Sequence, residues 1–307
     1  MSRWIGVIAT VFLAATPFCS AAQTSAGKIV VASKIDTEGA LLGNIILTLL
    51  EARGLPVENK LQLGPTNIVR SAILAGQVDI YPEYTGNGAL FFHMEEDPRW
   101  KSWASGFKLV QTLCLEKNHL VWLTPAPANN TWVIAVRRDL ATRSHLASME
   151  DFAKYVVSGG RIKLAASAEF VESPAALPAF ETTYRFRLSD AQLLTLAGGN
   201  TAATLRAAAE EMSGVNTAMA YGTDGALAAL GLVIMDDPKG IQPIYAPAPI
   251  VRAEVLTRYP AIKEALAPVF RSLDTPTLQS LNAKIAIEGQ DAKQVAAAYL
   301  KAKGFIK

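Results

Sequence analysis

Between positions 41 and 50 the apolar residues Leu41, Leu42, Ile45, Ile46, Leu49 and Leu50 recur on a helical period, and Gly54 follows as a natural stop. The spacing predicts a helix opening near Thr37, a candidate cap, with Glu38 favourable in its first turn. Residues 28–33 (KIVVAS), apolar from Ile29 to Ala32, precede it in the pattern of a strand covered on both faces. A short strand over 61–63, a helix over 65–74 closed by Gly76 and a strand over 78–81 follow. This βαβαβ order predicts an α/β fold with a mainly parallel sheet flanked by helices.

The pattern continues with a helix over 98–116 and a strand over 120–123. Residues 124–131 (TPAPANNT) then read as a crossover, because Pro, Ala and Asn break any period. A second α/β unit is predicted from strand 132–136, with helix 148–157, strand 162–165, helices 174–184 and 201–211, and strand 218–220. Residues 241–245 read as a return strand and 246–249 (APAP) as a second crossover, ahead of helices over 259–270, 276–285 and 291–301. The expected organisation is two lobes joined by two strands: residues 23–130 and 246–307 share the first lobe, and 131–245 form the second.

The amino terminus changes the picture of where the chain works. Arg3, an apolar stretch from Trp4 to Phe18 and the small residues Ser20-Ala21-Ala22 form an export signal over residues 1–22, with cleavage before Gln23. Bulky Phe18 before Cys19 argues against lipid attachment. The expected location is the periplasm, where Cys114 would be left without a disulfide partner, as a buried small residue.

A net charge of +2 over 307 residues argues against nucleic acid or an anionic membrane as the main partner. Enzyme signatures are missing as well. His93, His119 and His145 are not spaced as metal ligands, and no G-x-S-x-G elbow occurs. Gly198-Gly199 lacks the remainder of a P-loop or dinucleotide fingerprint and reads as a helix-entry turn. No cofactor and no metal are expected.

Four aromatic residues fall outside any core period. Tyr84 (PEYTGN), Trp132 (ANNTWV), Tyr221 (AYGTDG) and Tyr245 (IYAPAP) sit beside Gly, Pro, Asn and Thr. Rings from four distant segments can form a box, and a quaternary ammonium is the solute that most needs one. It has no N–H to donate, so π-faces must hold it, at up to about 2 kcal/mol each when desolvated.

The segments that carry these rings resemble a known family. SKIDTEGALLG (33–43), DIYPEYTGN (79–87), PAPANNTW (125–132), AASAEF (165–170), AYGTDG (220–225) and YAPAP (245–249) together resemble the glycine betaine/choline-type substrate-binding proteins of ABC importers, and within them the OsmF (YehZ) branch. The resemblance runs over essentially the whole chain after the signal. It implies a type II two-lobed periplasmic binding fold closing on a solute, with an ABC permease as partner and a monomeric receptor. It further implies that Tyr84 comes from the first lobe, Trp132 and Tyr221 from the second, and Tyr245 from the return crossover. Trp132 stands where relatives often carry Tyr. Lys34 would reach an anionic or polar end of the solute, Asn87 and Asn130 would supply amides, and Thr131 and Thr223 a hydroxyl or backbone contact. Asp36 and Asp224 read as helix caps.

One departure bears on the solute. Relatives that bind betaine often carry an arginine shortly after the E-F motif, a fork for the carboxylate, and here Ser173 stands in that place. Tight glycine betaine binding is therefore not expected. A receptor for another small polar solute, a sensor that passes its closed form to a signalling protein, and an exported enzyme remain as alternatives.

Overall fold

The apolar run that opens the described chain forms a strand buried along nearly its whole length. A computed structural model describes residues 27–196 and 201–307, so the export signal and the Gly198-Gly199 pair lie outside the described residues. The strands are β1 (Ile29–Lys34), β2 (Val57–Gly64), β3 (Ile80–Tyr84), β4 (Leu120–Trp122), β5 (Trp132–Arg137), β6 (Leu164–Ser167), β7 (Leu193–Leu196), β8 (Thr217–Tyr221), β9 (Leu232–Ile234) and β10 (Pro247–Arg252).

They build two five-stranded sheets, ordered β2-β1-β3-β10-β4 and β7-β6-β8-β5-β9. Each sheet is mixed. β1 pairs parallel with β2 and β3, and β6 does so with β7 and β8. β10 runs antiparallel between β3 and β4, and β5 antiparallel between β8 and β9. The two antiparallel strands are those that arrive from the other sheet, so their direction follows from the crossovers.

Helices cover both sheets. The stripe Leu41, Leu42, Ile45, Ile46 and Leu49 of the helix Thr37–Ala52 is buried in one apolar cluster with Leu266, Val269, Phe270, Val295 and Leu300 of the carboxyl-terminal helices. Burial of these side chains contributes about 1.5–3 kcal/mol each. In the second unit Phe152, Phe170, Phe180 and Met219 form a separate cluster. Cys114 is buried in the helix Trp103–Asn118 and is a free thiol.

Several sequence expectations shift here. Asp36, not Thr37, caps the first long helix, its carboxylate accepting from the Gly39 N–H at 2.7 Å. The expected return strand over 241–245 is irregular, and the APAP segment instead opens β10. Prolines survive in that interior strand because Pro249 stands opposite Pro82 and its carbonyl still accepts from the Leu123 N–H at 2.9 Å.

The two crossovers run side by side. Asn130 N–H donates to the Tyr245 carbonyl at 3.0 Å, Tyr245 N–H to Asn129 Oδ1 at 2.8 Å, and the Thr131 hydroxyl to the Pro243 carbonyl at 3.1 Å. Gly222 fits there because an added Cβ would lie 2.4 Å from the Asn129 carbonyl oxygen. This paired ribbon carries Asn130, Thr131 and Tyr245.

Candidate solute-binding cleft

The aromatic residues sit at strand ends more than in loops. Tyr84 is the last residue of β3, Trp132 the first of β5 and Tyr221 the last of β8, whereas Tyr245 lies in the irregular segment before β10. Trp132 and Tyr221 are directly opposed across the antiparallel β5–β8 ladder, which puts both on one face. Tyr245 lies against the backbone of Gly86, where an added Cβ would come within 2.8 Å of its ring. Tyr84 is buried, the other three half-buried.

The rings share an acidic neighbourhood. Burial is the largest cause that pushes the hydroxyls of Tyr84, Tyr221 and Tyr245 up, Tyr245 to about 12. Carboxylates add to it: Glu38 and Asp36 on Tyr84, Glu169, Asp224 and Asp36 on Tyr221, Glu169 and Glu83 on Tyr245. Tyr245 also feels Tyr221, so the ring of the return crossover and the ring that ends β8 lie within electrostatic range of each other. A negative field lined with π-faces favours a cation.

The expected polar contacts are mostly engaged within the protein. Lys34, the last residue of β1, is buried, pairs with Glu83 at 2.5 Å and lies 4.6 Å from the Tyr84 ring centroid. Glu83 also accepts from Asn87 Nδ2 and the Tyr84 N–H, each at 2.7 Å, and from the Tyr81 hydroxyl at 3.0 Å. The ammonium of Lys34 is thus neutralised before any solute arrives. Thr131 bonds the return crossover, and the carbonyl of buried Thr223 accepts from Asn282 Nδ2 at 3.0 Å.

Ser173 is half-buried at the end of the helix Ala168–Glu172, one turn beyond Glu169, whose carbonyl its N–H bonds at 2.9 Å. Asp224 closes the Tyr221 turn by accepting from the Tyr221 N–H at 2.8 Å, rather than capping a helix. Burial raises its carboxyl to about 6.

Sequence reasoning gave Glu38 a helix-end role only. The structure buries it and surrounds it with Tyr84, Asn130 and Asn282. No local signal marks it, since these partners lie 46, 92 and 244 residues away along the chain. A cavity of about 580 Å³ at the far end of β5 is a different feature: Arg137 and Arg143, which line it, are already paired with Asp139.

Two lobes of like topology, bridged by two crossovers, define a two-lobed solute-binding protein. The chain belongs to the family described as the substrate binding domain of ABC-type glycine betaine transport systems, whose model matches residues 27–302. It is a binding component of an ABC transport system and not an enzyme. It is 59% identical over 307 residues, 100% of this chain and 99% of the relative, to the glycine betaine-binding protein YehZ of Escherichia coli (strain K12). It is 30% identical over 302 residues, 96% of this chain and 94% of the relative, to a glycine-betaine-binding protein of Pseudomonas aeruginosa. The solved structure of apo YehZ from Escherichia coli superposes with a TM-score of 0.81 at 61% identity, covering 91% of this chain and all of that one.

Proposed function

We propose that this protein is a periplasmic receptor for a quaternary amine and delivers it to the permease of an ABC importer. The observation that carries the reading is the pairing of Trp132 with Tyr221 across the β5–β8 ladder, with Tyr221 in the field of Glu169 and Asp36 and Tyr245 in that of Glu169 and Glu83. Tyr84 supplies a further ring from the first lobe. Residues 1–22 are removed on export. Lobe one (23–130 and 246–307) and lobe two (131–245) then close as bodies about the two crossovers, and the closed monomer docks on the permease.

The solute in this reading is a cation whose other end carries no carboxylate. Lys34 is held by Glu83, and Ser173 offers a hydroxyl where a guanidinium fork would be needed. Asn130 Oδ1, buried without a hydrogen-bond partner among the described residues, and Ser173 remain as partners for an uncharged polar end. Choline fits this description better than glycine betaine, the solute in the names of the two relatives.

Calorimetric titration of the purified protein with choline, glycine betaine and carnitine tests the reading. Choline should bind at least tenfold more tightly than glycine betaine, a gap on the order of 1.4 kcal/mol. Tyr245→Ala should weaken choline roughly 30-fold, from the loss of one desolvated π-face, and leave the melting temperature nearly unchanged. Tighter binding of an amino acid than of any quaternary amine would replace this reading with that of a receptor for another solute.

A further inference from the structure

Glu38 stands in the first turn of the helix Thr37–Ala52, 5% exposed. Its Oε1 accepts from the Tyr84 hydroxyl at 2.8 Å and from Asn130 Nδ2 at 3.2 Å, and its Oε2 from Asn282 Nδ2 at 2.7 Å. The Asn282 amide also donates to the Thr223 carbonyl at 3.0 Å, in the loop that follows Tyr221. Gly225 of that loop lies tight on the helix Thr275–Ala286, since an added Cβ would stand 2.1 Å from the Ala283 nitrogen. One carboxylate thereby joins a ring residue of β3, the outgoing crossover and, through Asn282, the second-lobe loop.

Among the described residues no Lys, Arg or His lies within ion-pair distance of this carboxylate. A buried charge met only by neutral donors is expensive unless those donors are well placed, so the arrangement is not one that packing alone would select. We propose that Glu38 is a positioning residue of the solute site: its charge fixes the Tyr84 ring and, through Asn282, holds the loop bearing Tyr221 opposite that ring. The proposal rests on reading the cleft as a cation site, and Glu38 acts there through its partners.

A pH dependence follows from the geometry. The ionised carboxylate accepts from Tyr84, Asn130 and Asn282, whereas the protonated one must present a donor to one of them and release it. Burial is the largest cause that pushes Glu38 up, to about 7, with Asp36 adding repulsion and bonds from Thr223, Tyr84 and Asn282 opposing. The groups facing it are Asp36 from the preceding loop, the Tyr84 hydroxyl from β3, the amides of Asn130 and Asn282, and Thr223. Affinity for a cation should be full above pH 7 and fall as the pH drops through it.

The test is choline titration by calorimetry at pH 8 and pH 6. Wild-type affinity should weaken about tenfold at pH 6, and Glu38→Gln should be weaker at pH 8 yet vary by no more than about twofold between the two. Tyr84→Phe should lose as much, and the double variant no more than the worse single one. A Glu38→Gln protein that keeps the wild-type pH ratio overturns the proposal.

Solute-free protein gives a second readout, independent of which solute is right. By hydrogen exchange, amides 221–225 should exchange faster in Glu38→Gln and in Asn282→Ala, with the helix Met149–Val157 unchanged. Unaltered exchange at 221–225 in both variants overturns the coupling. Failure of every quaternary amine to bind, with exchange altered as described, overturns the solute reading alone.

Discussion

The two sheets are wound alike, yet they bury different things. The first lobe encloses Lys34, Glu38, Arg70, Asp79 and Glu83, whereas Glu181 is the one charged residue buried in the second among the described residues. The cleft side of the second lobe offers Trp132, set edge-on to Phe170 with centroids 5.8 Å apart, and Tyr221 opposite it. Since a shared topology does not demand the contrast, we attribute it to the site. On the proposed reading Lys34, Glu38 and Glu83 preset charge and hydrogen bonds around the Tyr84 ring, and the second lobe brings Trp132 and Tyr221 to them.

The contrast breaks most visibly at Glu83. Glu83→Ala would leave the Lys34 ammonium buried without a counter-charge and remove the acceptor shared by Asn87, Tyr81 and the Tyr84 N–H. The expected loss is about 3–5 kcal/mol, read as a lower urea midpoint. Glu181→Ala in the second lobe removes an acceptor for the Leu188 N–H and should cost about 1–3 kcal/mol. Equal losses would mean that the lobes do not differ in the way described.

The next largest effect is on stability against pH. Burial pushes the Glu38 carboxyl to about 7 in the folded protein from an ordinary 4.5, so the unfolded chain releases its proton first. The contribution is fully present below pH 4.5 and is lost as the pH rises to about 7, a change on the order of 3 kcal/mol. Urea midpoints at pH 5 and 7.5 should show it in the wild type and not in Glu38→Gln. Asp224, raised to about 6, adds a change of the same sign at lower pH.

The smallest effect sharpens the solute end. Ser173→Arg should raise glycine betaine affinity about tenfold and leave choline unchanged, which competition between the two solutes would measure. No gain would mean that Ser173 does not face the solute's far end.

Much of the architecture could be read from periodicity because each helix stripe and strand run declares its own buried face, as Leu41 to Leu50 does. The return strand could not. Pro247 and Pro249 argue locally against a central strand, and what admits Pro249 is the opposing Pro82, far away in sequence. The rings were visible because Tyr84, Tyr221 and Tyr245 violate core patterning. Glu38 was not, since an acidic residue in a helix's first turn is ordinary and its burial is decided by Asn130 and Asn282. The Lys34–Glu83 pair was hidden for the same reason, 49 residues apart on neighbouring strands.

Residue 86 has no side chain, so the Tyr245 ring packs close against the polypeptide two residues beyond Tyr84. On the proposed reading this contact keeps the Tyr245 ring, at the very end of the return crossover, beside Tyr84 while the second lobe moves. On the proposed reading an arriving cation meets this fixed wall first, and Trp132 and Tyr221 swing over it afterwards like a shutter. Association rate is then a property of the wall and residence time a property of the shutter, so substitutions in the two pairs of rings should separate cleanly in kinetics even where they weaken affinity alike.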